Sequence, residues 1–403
     1  IDDLSINRLN ITHNSKPLKI SATGALIGIK KPQSAQIRLN DLILTANADD
    51  INTILAAANV GKPDLRSKIA QLGNFSINGN FNGQPLDAIF EGDINTALGN
   101  ANMLLDYTIP YGNNAIALKG NVKTSNIELG KITANNKLGS VAGEVAFDVN
   151  INKNNYNGFV DGYINHFDFN KYRYNNITAK VNVDNNFIEG IANIDDPNIN
   201  ISIEGEANLD KNNPYINAHA LANTINFNNI NLTNKYHHLS AEIEANLNGL
   251  DIDNATGHIN VNNLRYSNNP AKELYIDHIA INAHNEGVDK QSLSISSNFL
   301  NASINGSYSY KSLVPAVKDI LSHSFPVFFG ENAHQSATSL TANNKNKFTF
   351  DISLEKDENV FNFFNINTDL FVPITFTGEV NHPEHKLSMV GNIPYLVAGN
   401  KLI

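Results

Sequence analysis

Histidine and aspartate are the residue types that could do chemistry in this sequence, and they occur in a few close pairs. His382 and His385 flank a Pro-Glu dipeptide without a third ligand nearby, whereas protein zinc sites use three or four ligands. His237 and His238 are adjacent at the start of a predicted strand, where neighbouring side chains point to opposite faces. We therefore predict no metal site, and we interpret the turn at His382 and His385 as solvated.

Two aspartate pairs could serve as acid–base groups or calcium ligands: Asp195 with Asp196, and Asp251 with Asp253. All four lie in Asn-rich segments, where acidic residues commonly form turns that face solvent. The chain has no His-Glu-x-x-His, Gly-x-Ser-x-Gly or Gly-Lys-Ser/Thr motif, so zinc hydrolysis, serine acyl transfer and P-loop chemistry lack sequence support. We predict no catalytic residues and no cofactor, and interpret the chain as a non-enzyme.

The amino-acid composition disfavours several classes of binding partner and of metal site. Charged residues make up 17% of the chain, against roughly 25% in an ordinary globular protein, whereas asparagine occurs 69 times. The polar surface is therefore mostly neutral amide. Cysteine is absent, which excludes disulfides and thiolate metal sites. A net charge of −10 disfavours nucleic acids and anionic membrane surfaces as partners.

The elements that must position these residues are β-strands, because apolar residues recur at every second position in long runs. The intervening positions are mostly Asn, Asp, Glu, Ser and Lys, so each strand has one apolar and one polar face. On the apolar faces we place these candidate lining residues: Val141, Val145, Phe147, Val149, Ile151, Ile201, Ile203, Leu239, Ile243, Leu247, Ile304, Phe350 and Phe376.

Glycine recurs on the apolar side of these strands, as at Gly79 between Ile77 and Phe81. Glycine inside a strand weakens it, so its repetition predicts a sharply coiled sheet or a close approach of neighbouring backbones. The spacing between these glycines has no fixed period, which disfavours propellers and leucine-rich repeats.

Helical periodicity is confined to two insertions, with two short helices predicted in the first, the second of them from Asp64 to Gly73, and one helix in the other. We predict strands over residues 1–48, 74–311 and 331–403, and short helical insertions over 49–73 and 312–330, as one continuous elongated unit. The helices are expected to cap an end or an edge of the sheet. The chain begins and ends within the strand pattern, so we interpret it as part of a longer protein.

A sheet with one apolar face must bury that face. Either two apolar faces meet in a solid core, or the sheet folds over lengthwise and leaves an open apolar groove. The fold class that we predict is all-β, an elongated folded-over sheet with a lengthwise hydrophobic groove and a few short helices. Such a groove suits lipids, since exposing the ~30 CH₂ groups of two acyl chains to water costs roughly 25 kcal/mol.

Several segments resemble a known family. The sequence from Leu72 to Gly83, continuing from Gly92 to Gly99, resembles the middle of TamB-like translocation and assembly module proteins, in the form found in Bacteroidetes. The segments Ile199–Ala207 and Ser296–Tyr308 share the same pattern. The family belongs to the AsmA-like superfamily, and the resemblance covers most of the chain.

The resemblance implies a β-taco in the periplasm, in a full-length protein anchored in the inner membrane. Its groove would hold phospholipid acyl chains on their way to the outer membrane, and so support outer-membrane biogenesis. It also implies a BamA- or TamA-type outer-membrane β-barrel as partner. Both the anchor and the partner-binding domain would lie outside these residues.

Three alternatives remain open from the sequence. The same alternation allows a structural or adhesive β-solenoid with a self-filled core, although regular rung lengths would be expected. The protein could also assist outer-membrane protein assembly without conducting lipid. A carbohydrate-active β-enzyme is the third alternative, and it lacks a convincing acid pair and aromatic platforms for sugars. Lipid species, direction of transport and energy source are left open.

Overall fold

The computed structural model describes residues 3–12, 18–28, 30, 34–57, 70–110, 115–153, 155–249, 251, 253–287, 290–324, 346–366, 368–370, 372–393, 396–398 and 401–402. Within these residues the protein is all-β, as predicted, with one antiparallel sheet of 21 strands, a second sheet of three short strands and a few short helices. None of the helices in the described ranges is long and apolar enough to cross a membrane.

Contacts between Cα atoms divide the chain into two compact units. The first unit comprises residues 1–200 together with 229–232, and the second comprises 201–228 and 233–403. The sequence predicts one continuous unit, because the strand alternation runs through the boundary without a break.

The first unit is a meander in which each strand pairs with the next strand along the chain. Its elements are β1 (Asp3–Thr12), β2 (Lys19–Ile27), β3 (Gln36–Asn47), α1 (Ala48–Ala57), β4 (Asn74–Gln84), β5 (Asp87–Thr96), β6 (Gly99–Thr108), β7 (Ala115–Glu128), α2 (Leu129–Thr133), β8 (Leu138–Asn152), β9 (Asn155–Phe169), β10 (Tyr172–Asp184) and β11 (Phe187–Asp196).

Strand register in the first unit collects the apolar residues on one face. One row of paired residues runs Leu39, Phe81, Phe90, Leu105, Gly120, Phe147, Val160 and Val181. We call the face that carries this row the inner face and the opposite one the outer face. Because side chains alternate along a strand, a register slip of one residue would exchange the two faces. The pattern of apolar residues therefore fixes the pairing.

Close backbone approach on the inner face explains the glycines, as predicted. Gly79 on β4 pairs with Gly92 on β5. A Cβ atom at Gly79 would meet the carbonyl oxygen of Glu91, and one at Gly92 would meet that of Asn78. Only glycine therefore fits this pair of positions without moving the backbone.

The second unit is also a meander, with antiparallel pairs between successive long strands. The elements from the boundary onward are β12 (Ile199–Asn208), β13 (Tyr215–Asn226), β14 (His238–Asn248), β15 (Thr256–Asn269), β16 (Lys272–Asn285), β17 (Gln291–Ser297), β18 (Leu300–Ser307), α3 (Leu313–Ser324), β19 (Lys347–Leu354), α4 (Glu358–Phe364), β20 (Thr368–Leu370), β21 (Ile374–Asn381), a 3₁₀ turn (His382–Glu384), β22 (Lys386–Asn392), β23 (Leu396–Ala398) and β24 (Lys401–Leu402). Strands β20, β23 and β24 form the small sheet.

Both predicted helical insertions contain a helix, α1 in the first and α3 in the second. Parts of both insertions, residues 58–69 and 325–330, lie outside the described residues. Helices α2 and α4 were not predicted. The seven-residue α4 is too short for a clear period, but Asp357 caps it by accepting a hydrogen bond from the Val360 backbone N–H.

The helices pack on apolar strand residues. In the first unit, Ile51 of α1 contacts a cluster of Ala46, Ala48 and Phe75. In the second unit, Ile320 of α3 is buried with Tyr308, Phe348 and Val380, and Val360 and Phe361 of α4 are buried with Leu274, Ile276 and Ile374. The helices therefore cover parts of the apolar faces, whereas the sequence predicts that they cap an end or an edge of the sheet.

Candidate functional site

The candidate groove of the first unit is lined by alternate residues of β8 and its neighbours. Val141, Val145, Phe147 and Val149 are half-buried, and Ile151 is 38% exposed. The paired residues on β7 and β9 are apolar or glycine: Val122 and Gly162 beside Val145, Gly120 and Val160 beside Phe147, and Leu118 and Gly158 beside Val149. The structure therefore brings these five predicted residues together on one apolar face.

The paired positions on the inner face of β1 to β11 carry no charged side chain, and the buried carboxylate of Asp196, at the end of β11, lies beyond these pairs. At the paired positions outside β-bulges, the described residues on this face include no Asp, Glu, Lys, Arg, His, Asn or Gln, and the polar atoms are the hydroxyls of Thr96, Tyr107, Thr124, Tyr156, Tyr172 and Tyr174. An acyl chain placed there would meet hydrocarbon with almost no polar competition.

The inner face is also accessible. None of the five predicted β8 residues is fully buried, and further large apolar residues on this face are exposed by more than a third of their surface, namely Leu4, Ile11, Tyr156, Val160 and Ile188. Apolar side chains packed into a solid core are almost wholly removed from solvent. The inner face of the first unit is thus a partly open apolar surface, not a filled core.

Ile201 and Ile203 lie on β12, where Ile201 is half-buried and Ile203 is 43% exposed. On β14, the predicted residues Leu239, Ile243 and Leu247 are half-buried. Their paired residues on β13 and β15 are again apolar or glycine: Ile225 and Tyr266, Ala220 and Val261, and Ile216 and Gly257. The predicted alternation therefore holds in both strands.

Three predicted lining residues pack against clusters that include helix residues. Ile304 and Phe350 pack against the cluster that contains Ile320 of α3. Phe376 packs against the cluster of α4. The sequence left open whether the groove is filled at these positions and where the short helices lie. The strand alternation shows that they are apolar and inward, but it carries no information about which later segment covers them.

Asp196 differs from its sequence interpretation as a solvated turn residue. It is 2% exposed and accepts hydrogen bonds from the Tyr172 hydroxyl, from the backbone and side-chain amides of Asn175, and from the Asn198 backbone N–H. Burial raises the pKa of Asp196, but these hydrogen bonds outweigh it and hold the pKa below its ordinary value. Asp196 is therefore a buried structural carboxylate.

The same network fastens a distant segment to the first unit. Asn198 accepts a hydrogen bond from the side chain of Asn229, and Asn170 donates one to the carbonyl of Asn231. Between these two contacts Ile230 is completely buried. Residues 229–232 are thus held against the β9–β10 and β11–β12 turns.

The turn at His382 and His385 was interpreted from the sequence as solvated, but it is partly buried. The His382 side chain is 12% exposed, and its Nε2 atom lies 3.1 Å from Oδ2 of Asp319, a buried carboxylate on α3. His385 Nδ1 lies 3.4 Å from the same oxygen. These contacts fasten α3 to the β21–β22 turn. No group of three metal-ligating residues suited to a metal ion occurs in the described part of the chain.

The remaining sequence pairs behave more simply. His237 is hydrogen-bonded to Tyr266 and His238 to Thr224, so the two rings have separate partners, as expected for adjacent strand residues. Asp251 and Asp253 both lie close to the ammonium group of Lys311, at 2.8 and 3.5 Å. Hydrogen bonding to Lys311 lowers the pKa of Asp251, so this turn is held by an ion pair.

A serine–histidine contact joins β8 and β9 without any local signal in the sequence. Ser140 Oγ lies 3.2 Å from His166 Nε2 and donates a 2.8 Å hydrogen bond to Asp168 Oδ2. In a catalytic triad the carboxylate orients the histidine, whereas here it binds the serine and is held by two hydrogen bonds from Arg173. The cluster therefore links β8, β9 and β10. It lacks the carboxylate–histidine hydrogen bond that activates a nucleophilic serine.

This cluster predicts a pH-dependent contribution to stability. The Arg173 hydrogen bonds, with a further one from Ser140, outweigh burial and lower the pKa of Asp168 to about 2. A depressed carboxyl pKa stabilises the fold above the unfolded pKa near 4, and this stabilisation is lost as the pH falls through about 2. Since Arg173 is half-exposed, we expect a loss of about 1 kcal/mol.

The measurement is urea unfolding at about pH 5 and about pH 2, for the wild type, Asp168→Asn and Arg173→Gln. Each variant should show a smaller pH-dependent drop than the wild type, by about 1 kcal/mol. An unchanged pH dependence in both variants would rule out this ion pair as the source.

Comparison of the chain with protein-family models, curated proteins and solved structures returned no match. The function is therefore argued from the geometry and chemistry of the inner face.

Proposed function

We propose that this chain is a bridge segment that shields the acyl chains of phospholipids during transfer between the inner and outer membranes. The observation that carries the proposal is the inner face of the first unit, which is uncharged at its paired positions and carries half-buried or exposed apolar residues on each of its eleven strands. A soluble protein normally buries such a surface, and an accessible one of this extent needs a hydrophobic occupant.

The dimensions of the inner face fit acyl chains. Eleven strands spaced ~4.8 Å apart give a face on the order of 50 Å across the strands. Contacts with Val, Ile, Leu and Phe side chains are non-directional, so a chain can move along the face without breaking specific bonds. Moving the two chains of one lipid from water to this lining recovers most of the roughly 25 kcal/mol that their exposure costs.

The resemblance to TamB-like proteins supports a periplasmic location for this activity. It also supports an inner-membrane anchor and a BamA- or TamA-type outer-membrane barrel as partners of the full-length protein. In this proposal, the groove carries the lipid, the partners lie outside these residues, and the result is outer-membrane biogenesis.

Site-specific photocrosslinking tests the proposal. A benzophenone amino acid is placed at Phe147 on the inner face or at Phe159 on the outer face of the adjacent strand. The purified protein is incubated with phosphatidylethanolamine vesicles and irradiated, and adducts are counted by mass spectrometry. We expect lipid adducts at Phe147 and a background level at Phe159. Equal labelling at the two positions, or none at either, would contradict an acyl-chain groove.

A further inference from the structure

The outer face of the first unit contains three adjoining clefts. They have volumes of about 860, 460 and 560 Å³. The first and second clefts share Asn78, Asp93 and Asn102, and the second and third share Asn121. Together they form a trough across β3 to β11, on the side opposite to the proposed lipid groove.

Neutral hydrogen-bonding groups recur along this trough, among apolar residues such as Ile43, Leu104 and Ile191. Its amides and hydroxyls include Asn78, Asn80, Asn95, Asn100, Asn102, Asn121, Ser125, Thr178 and Asn193. Several are held in place by their neighbours: Asn102 donates to Asp93, Asn100 to Ser125, and Asn193 to Thr178. Groups that are fixed before binding lose little entropy when a ligand arrives.

Tyr163 supplies an aromatic surface in the same trough. Its ring is 43% exposed, and its hydroxyl donates a 2.9 Å hydrogen bond to Asn176, which fixes the ring. Polar groups surround the ring in the third cleft, with Asn121, Asp161 and Lys180 among them. An immobilised ring among donors and acceptors presents one apolar and many polar contacts to a ligand.

Charge in the trough disfavours an anionic ligand. Lys123 lies 3.2 Å from Glu144 and is neutralised by it. The remaining carboxylates of the lining, Asp93, Glu91 and Asp161, outnumber its other ammonium group, that of Lys180. A phosphate or sulfate polymer would need surplus cations there, whereas a neutral ligand needs none.

We propose that this trough binds a neutral, hydroxyl-rich glycan chain, with one sugar ring stacked on Tyr163 and its hydroxyls bonded to the amides and carboxylates of successive strands. The trough repeats its polar groups once per strand, at ~4.8 Å, which suits an extended polymer. This activity is independent of the lipid groove because it uses the outer face.

A cleft of the second unit provides a comparison. It has a volume of about 490 Å³ and is also lined by hydroxyls and amides, among them Ser294, Asn301, Ser303 and Thr377. Its lining includes no aromatic residue. We therefore expect glycan binding at the cleft that contains Tyr163 and not at the cleft of the second unit.

The test uses the whole chain and three neutral probes, chitohexaose, cellohexaose and maltohexaose, with dextran sulfate as the anionic probe. Binding is measured by isothermal titration calorimetry and by saturation-transfer NMR, which detects Kd values up to about 1 mM. Tyr163→Ala removes the ring, and Tyr163→Phe keeps the ring but loses the hydrogen bond to Asn176.

We expect saturable binding of at least one neutral probe, little change with added salt, and about a tenfold loss of affinity in Tyr163→Ala. Tyr163→Phe should stay within about threefold of the wild type. Circular dichroism checks that both variants are folded, and Asn193→Ala provides a second variant of the same cleft. Binding of dextran sulfate alone, no binding of any neutral probe, or equal affinity in Tyr163→Ala would overturn the proposal.

Discussion

Replacing Phe147 by Asp should reduce phospholipid loading at least about tenfold while the sheet remains folded. Phe147 is half-buried on the inner face between Gly120 and Val160, so an Asp there would place a charge among hydrocarbon side chains. An acyl chain that covered this carboxylate would strip its water, which costs several kcal/mol. The empty protein avoids this cost because the position is partly open to solvent.

Phe159→Asp is the matched control, since it makes the same chemical change on the outer face of the neighbouring strand. Phe159 is 39% exposed and pairs with Asp148. Loading is measured as phosphatidylethanolamine retained per protein after gel filtration, and folding by circular dichroism. Loading that is normal in Phe147→Asp, or lost equally in both variants, would remove the inner face from the lipid path.

Asp196→Ala is expected to lower the free energy of unfolding by about 3 kcal/mol. The substitution deprives the Tyr172 hydroxyl and the backbone N–H groups of Asn175 and Asn198 of their acceptor in a site that is 2% exposed. Buried donors without partners pay their desolvation cost in full, which is about 1–3 kcal/mol each before relaxation.

The control for this prediction is Asp195→Ala, one residue earlier. Asp195 accepts a hydrogen bond from the side chain of Asn200 at an exposed position, so its loss should cost less than about 1 kcal/mol. Both variants are compared by urea unfolding. Similar losses in the two variants would show that the Asp196 network does not carry the stability assigned to it.

The strand architecture could be predicted from the sequence because alternation with period two is a local property of each strand. Runs such as Val145, Phe147 and Val149 determine which face of β8 is apolar, and the antiparallel register then aligns those faces between neighbours. Helices α1 and α3 could also be predicted, because their apolar residues recur at helical spacing.

The parts that could not be predicted depend on contacts between residues far apart in sequence. Asp319 and His382 are separated by 63 positions, and Asn198 and Asn229 by 31. No local pattern signals either pair. Helix α4 had two local signals, the capping Asp357 and the helical spacing of Val360, Phe363 and Phe364, but seven residues are too few for a clear period. Its packing with Phe376 depends on a long-range contact that no local pattern shows.

The meander pairs each strand with its neighbour along the chain, which favours folding in the order of the sequence. In the first unit each strand needs only the strand before it, so loop closure spans one turn at a time and contact order stays low for a β-protein. The chain can therefore fold strand by strand from its amino terminus during synthesis, with only the growing edge of the sheet open to aggregation at any moment.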